Sequence, residues 1–238
     1  VATLVRLVKR LALLREILRF EREAKALVES GGAEEESAKA WLRRRGFSER
    51  LGREYVAPMV GAIWSRCATG DVLAEFPMLG VARFLDNHYM LDRRRPRLRT
   101  PALRSRDYVD RVAAAVGREN YRLGARVSNL MGCGDGRWRV VGAGAFRAEE
   151  PFDAVVLCCD APAAASILGH HPALGAAKAL VSELTTTPND VVVHRDASLM
   201  PADRGAWAAW NCRPDGVLTY WANALQPGVG AENLFITL

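Results

Sequence analysis

Trp207, Trp210 and Asn211 stand close together in the sequence, and Tyr220, Trp221 and Asn223 follow in a second short segment. Aromatic rings with a few side-chain amides have the composition of a small-molecule pocket, in which rings form apolar walls and amides fix orientation. The same types also describe a packed core whose Trp and Tyr polar ends are hydrogen-bonded. The residues alone leave both readings open. Alternation along a strand would put Trp221 and Asn223 on one face and Tyr220 on the other.

Other chemistry-bearing patterns are weaker. Val140 to Phe146 contains Gly142 and Gly144 and resembles the opening of a dinucleotide-binding fingerprint. That fingerprint needs a third glycine, where Arg147 stands, and a helix whose first amides meet a pyrophosphate. Pro151 and an apolar run follow too soon for a helix, so a tight hairpin is expected there. Gly132 to Gly136 reads as another hairpin turn. No G-x-S-x-G nucleophile elbow occurs. Adjacent His170 and His171 do not make a metal site by themselves, and His194-Arg195-Asp196 reads as a strand end turning to solvent. The five cysteines, Cys67, Cys133, Cys158, Cys159 and Cys212, are odd in number and lack metal spacing. Cys158 and Cys159 sit in an apolar run, where cysteine acts as a small hydrophobe, and a reduced interior without a disulfide framework is expected.

The elements that would position these residues fall into three stretches. Leu4, Leu7, Leu11, Leu14 and Leu18 recur at helical spacing, and Gly31-Gly32 closes that helix. A second helix is expected over 34–45, closed by Gly46, and a third capped by Ser48, with Pro58 as a kink. Asp71 caps a short turn, and 77–91 reads as helix. Ser105 is expected to cap a helix through Val116. The period then changes to two, predicting short strands over 126–131, 137–141 and 145–147. The continuous apolar run 153–159 predicts a strand buried on both faces. Helices over 161–168 and 173–184 and strands over 190–194, 207–211, 217–223 and 234–238 complete the pattern. A first residue that is Val1 and not Met, and a final apolar run from Leu234 to Leu238, with no cap or turn signal at either end, lead to the expectation of a chain cut at both ends.

The 238 residues are half hydrophobic and a quarter charged, an ordinary globular balance. The net charge of +6 comes from scattered arginines, with clusters at 43–45 and 93–95. No array of exposed aromatics accompanies them, so a nucleic-acid partner is not expected. No stretch reaches the roughly 18 uncharged apolar residues that a membrane helix needs; Val1 to Leu18 reads as the nearest to one, but Arg6, Lys9, Arg10 and Arg15 interrupt it. It reads as a helix packed on the rest of the protein, with a basic helix on a membrane surface as the alternative.

Several segments carry a family resemblance. Tyr55-Val56-Ala57-Pro58-Met59-Val60-Gly61-Ala62-Ile63-Trp64-Ser65 resembles a helical substrate-domain segment of flavin-containing amine oxidases, in the branch found near or fused to cyclopropane-fatty-acid synthases. Phe84-Leu85-Asp86-Asn87-His88 is similar to the next helix there, and Phe152 to Leu157 to the strand returning to the FAD domain. Pro188-Asn189 through Val193-His194-Arg195-Asp196-Ala197-Ser198-Leu199-Met200-Pro201 resembles the family stretch P-N-x-x-V-L-H-x-D-x-S-L-x-P. Ala206 to Asn211 and Leu218 to Gln226 continue the likeness, which spans 47–238.

The resemblance implies an α/β fold, a fragment of the two-domain FAD-linked amine-oxidase type. Residues 1–92 would be the helical part of the substrate domain, 93–168 part of the FAD-binding domain, and 169–238 the substrate-domain sheet. The implied chemistry is hydride transfer from an amine or lipid substrate to FAD. Implied substrate-pocket walls are Trp210, Asn211, Tyr220, Trp221 and Asn223, faced by Trp64 and His88. Ser105 is the implied cofactor contact, and no acid or base is singled out. Four departures stand beside this: the glycine-rich FAD fingerprint is absent, the family's C-terminal flavin-contacting segment is expected to lie beyond Leu238, Leu103-Arg104 replaces a family glycine pair, and Asp160 replaces a common histidine. They keep open a non-catalytic remnant or interaction domain that does not bind FAD. A flavin-dependent lipid desaturase or isomerase would use the same fold.

Overall fold

The computed structural model describes the chain except residues 1, 33, 34, 66–70, 93, 95, 98, 145–150, 170, 187, 214 and 227, and the side chains of 2–6 and 144. Cys67, His170 and the expected strand 145–147 lie outside the described residues. Contacts divide the chain into two units, one made of 1–100 with 189–238 and the other of 101–188. The boundaries expected from the sequence fall after 92 and 168.

In the first unit, α1 (Ala2–Ser30) runs 29 residues and ends at Gly31, whose φ of 65° is the left-handed geometry that glycine takes without cost. α2 (Ala38–Arg44) is shorter than expected, because Ser37 accepts a hydrogen bond from the Ala40 N–H and sets the start. Ser48 caps α3 (Glu49–Leu51) in the same way. A π-helical turn, Gly52–Val56, joins α3 to α4 (Ala57–Ile63). Pro58 explains it: proline has no N–H for the Glu54 carbonyl and its ring clashes there, and widening the turn relieves both. α5 (Val72–Glu75) and α6 (Met78–Asn87) follow.

Phe20 is the centre of this helical half. It is fully buried and meets Trp41, Phe47 and Tyr55 edge-to-face at ring separations of 6.2, 6.1 and 6.0 Å. The leucine stripe expected to pack inward does the opposite. Leu7, Leu11 and Leu14 are exposed, and Leu13, Ile17, Phe20 and Ala24 meet the core. The core takes the face carrying the aromatic ring and the small Ala24, not the face with the most leucines.

In the unit 101–188, α7 (Arg104–Val116) starts one residue before Ser105, which sits in the first turn and supplies no cap. β1 (Ala125–Gly132) and β2 (Trp138–Gly144) form an antiparallel hairpin through Gly134 and Gly136, both at positive φ. Gly142 and Gly144 lie within β2, so the second hairpin expected at that point is corrected to strand. α8 (Ala161–Leu168), capped by Asp160, packs on β1 and on α9 (Gly175–Ser182), burying Leu130, Ala164, Ile167 and Leu168. The buried strand expected over 153–159 is not formed. Val156 is 82% exposed, Cys158 and Cys159 are exposed, and no strand pairs with the run. A run buried on both faces needs a strand on each side, and among the described residues none flanks it.

The chain returns to the first unit with β3 (Val192–His194), β4 (Trp210–Cys212), β5 (Leu218–Trp221), α10 (Ala222–Leu225) and β6 (Phe235–Thr237). The strands form one sheet in the order β3-β6-β5-β4, and every pairing is antiparallel. The protein is a mixed α/β chain with small sheets.

Phe20→Ala removes the ring that three aromatics share, and is expected to cost about 3–5 kcal/mol in urea unfolding. Leu11→Ala on the same helix is expected to cost less than about 0.5 kcal/mol. Acid sensitivity has a local source in Glu23. Burial would raise its pKa, but hydrogen bonds from Arg19 and Arg45 hold it below its ordinary 4.5. A depressed carboxyl contributes stability above the unfolded pKa and loses it as pH falls through the folded value. Stability measured from pH 6 downward should therefore fall below about 4.5, and Glu23→Gln should flatten that slope.

Candidate functional site

The four-stranded sheet has two faces set by register. Trp210 pairs with Tyr220 and Tyr220 with Ile236, so these three share one face. Asn211, Thr219, Trp221, Phe235, Thr237 and His194 share the other.

On the first face, Trp210 and Tyr220 meet at 5.7 Å between ring centroids, and Trp210 is 43% exposed. The Tyr220 hydroxyl donates to the Ala62 carbonyl at 3.4 Å, which ties the sheet to the last turn of α4. Two residues further along that chain is Trp64. Its ring lies 4.6 Å from Phe76 and 5.4 Å from Phe84, and Phe84 stacks on His88 at 3.9 Å. His88 Nδ1 lies 2.7 Å from the Phe84 carbonyl, which orients the imidazole at the exposed end of α6. Trp64 and His88 are thus in one aromatic row, bridged by Phe84, a residue that was not among the expected site residues. Its place between them follows from helical spacing: Phe84 precedes His88 by four residues, one turn of α6.

The opposite face carries the sheet's buried polar side chains, Asn211 and Thr219. Thr219 and Phe235 are fully buried. Trp207 meets Trp221 at 5.4 Å and Phe235 at 5.6 Å, both edge-to-face. The indole N–H groups are used, Trp207 on the Pro201 carbonyl at 2.8 Å and Trp221 on Asn233 Oδ1 at 3.2 Å. His194 Nε2 lies 2.7 Å from Thr237 Oγ1, which lies 2.9 Å from Thr219 Oγ1. His194 Nδ1 is buried and has no hydrogen-bond partner among the described residues. His194 was expected to turn into solvent with the strand end; it faces the buried side instead. The nearby Asp196 carboxyl is held below the usual range by the Ser198 N–H, then by the Ser198 hydroxyl.

The two amides expected to face a substrate are spent on the backbone. Asn211 accepts from the Ala208 N–H at 3.0 Å and donates to the carbonyls of Ala208 at 2.6 Å and Thr219 at 3.3 Å. Asn223 is not on a strand. β5 ends at Trp221 and Asn223 lies in α10, donating to Gly230 and Glu232 and accepting from the Leu234 N–H. Trp221 and Asn223 therefore do not share a strand face. Ser105, in the other unit, is exposed in the first turn of α7, directly after Arg104, whose φ is 64°.

A sizeable cavity in the first unit lies elsewhere. A cleft of 1190 Å³ opens between α2, the π-helical turn, α5 and the end of β4. Its apolar lining includes Leu42, Pro58 and Leu73, and its charged lining includes Arg43, Arg53 and Arg213. Gly52 belongs to its wall: a Cβ there would stand 3.3 Å from Leu73, so the missing side chain lets α5 approach. None of the expected pocket residues lines this cleft. The sequence signals for it were Pro58, which forces the π turn, and the arginine cluster at 43–45.

Among the described residues no group of three or more His, Cys, Asp or Glu side chains is placed to hold a metal. Among the expected pocket residues with rings at the surface are His88, at the exposed end of α6, and Trp210, which meets Tyr220 beside α4. Asn223→Ala leaves the Leu234 N–H and two carbonyls unpaired and is expected to cost about 1–3 kcal/mol in chemical denaturation. Trp210→Ala, on the open face, is expected to cost less than Asn223→Ala. No protein-family model matches the chain, and a search of curated proteins finds no match.

Proposed function

We infer that this chain is part of an FAD-dependent, amine-oxidase-like oxidoreductase that takes hydride from an amine or lipid substrate. The observation that carries the reading is the division of the chain. Residues 1–100 join 189–238 in one unit, and 101–188 form another inserted between them. The resemblance implies such weaving, with a helical and sheet substrate domain split around a piece of the FAD domain.

A second observation supports it at the start of α7. The resembled family has a glycine pair where this chain has Leu103-Arg104, and Arg104 holds φ at 64°, the region glycine favours. The backbone turn is kept although the residue has changed. The first turn of α7, with Ser105 exposed beside it, fits one contact to a cofactor's polar edge. When bound, FAD would supply the hydride acceptor. The residues of this chain would contribute the wall of Trp64, Trp210 and Tyr220 on the substrate side.

A specific observation favours a second reading, a non-catalytic interaction domain. Asn211 and Asn223 are fully engaged with backbone, and Trp221 is turned to the interior. These residues then serve as scaffold, and the likeness would mark a shared fold without the chemistry.

The test is the protein purified as its gene encodes it, with visible absorption recorded near about 450 nm. Bound flavin that bleaches anaerobically with an amine or an unsaturated acyl lipid is the expected result. A folded, colourless protein that takes up no added FAD overturns the oxidoreductase reading and leaves the interaction domain. Arg104→Gly removes a left-handed cost of about 1–2 kcal/mol. It is expected to raise thermal stability and to tighten FAD binding, read by flavin fluorescence quenching.

A further inference from the structure

α1 carries two apolar faces, and only one is used. Leu13, Ile17, Phe20 and Ala24 meet the core. At 3.6 residues per turn, Leu7, Leu11 and Leu14 share a separate stripe turned away from it. All three are about half exposed, at 53%, 49% and 50%, and Val8 beside them is 58% exposed. Arg10 and Arg15 fall on the two flanks of the stripe, and both are exposed. Residues 1–15 hold four cations, Arg6, Lys9, Arg10 and Arg15, and no acid. Among the described residues no ion pair uses Lys9, Arg10 or Arg15. The segment is also held in place. Arg50 donates to the Lys9 carbonyl at 2.8 Å, and Glu16 accepts from the Ser48 N–H at 3.0 Å.

We propose that the stretch 7–15 of α1 docks, lying flat, on an anionic lipid surface. Exposed leucines flanked by long basic side chains match that environment: the leucines enter the acyl boundary while the arginines reach headgroup phosphates. Each cation near an anionic leaflet adds to the attraction, and salt screens it. A second copy of the chain fits less well. The leucines are spaced as in a coiled-coil seam, but the seam ends after Leu18 at Glu21 and Lys25, too short for a stable coiled coil. In a paired helix Arg10 and Arg15 would face like charges. The helix lies on the surface and does not cross it, since no described helix is long and apolar enough to span a membrane. This inference does not depend on FAD.

The experiment is cosedimentation of the full chain with vesicles of phosphatidylcholine alone or mixed with phosphatidylserine. Sedimentation with the anionic vesicles only, lost at high salt, is the expected result. Arg10→Glu with Arg15→Glu should lower the partition coefficient at least roughly tenfold. Leu7→Ser with Leu11→Ser should also lower it, with an unchanged thermal melt because both positions are exposed. Leu11→Trp should shift its emission to the blue on anionic vesicles. The proposal is overturned if the chain stays in the supernatant, or if the charge-reversed variant sediments as well as the parent. It is equally overturned if the stripe instead pairs two copies, seen as a dimer abolished by Leu7→Ser with Leu11→Ser, or holds an acidic helix in place of lipid.

Discussion

The burial of Phe20 is the constraint on which the helical half rests. One ring on α1 is enclosed by Trp41, Phe47 and Tyr55, so α1, α2, the loop before α3 and the π-helical turn must all converge on it. Arg19 and Arg45, meeting on Glu23, join α1 to the end of α2 beside that ring. The rotation of α1 about its axis is then settled. Its aromatic and alanine side turns inward and its leucines turn out, the reverse of what counting leucines suggests. Hydrophobicity alone does not choose between two apolar faces, but shape does: Ala24 allows close approach and Phe20 fills the space.

The sheet obeys a different logic. Its buried face has polar groups, and nearly every one is answered. Thr219, Thr237 and His194 form one chain, while Asn211 closes the corner before β4. Buried polar groups must be paired, so these side chains are drawn into the architecture and away from any ligand. The open face keeps its aromatic rings free of such duties, apart from the single bond from Tyr220 to α4. What remains available for recognition is aromatic surface, not amide.

Much of the local structure was legible in the sequence. Ser48 capping, the glycine end of α1 and the β1–β2 hairpin are properties of a few adjacent residues, whereas Pro58 was expected to kink its helix and is preceded instead by a π-helical turn. The failures have a common cause in long-range partners. The run 153–159 has strand composition, but strand formation needs a neighbour, and the run itself does not encode one. Asn211 and Asn223 have the residue type of a binding site, but only the path of the surrounding loops decides whether an amide meets solvent or a carbonyl. Trp64 and His88 are brought into one row through Phe84, although nothing in residue type distinguishes a ring that bridges two others from one that merely fills a core. The cleft beside the π turn was hidden because its walls come from segments far apart in the chain.

The split of the first unit has a consequence for how the protein is made. On a ribosome, α1 to α6 emerge before the sheet that the Tyr220 hydroxyl links to them, with residues 101–188 synthesised in between. At about 5–20 residues per second, that delay lasts on the order of 5–20 s. During it the Ala62 carbonyl and the side of α4 that will receive β4 stand bare. The rings around Phe20 all come from residues made early, whereas the sheet cannot close until the last strand, β6, enters between β3 and β5. Until β6 is made, β3 and β5 lack the strand that lies between them.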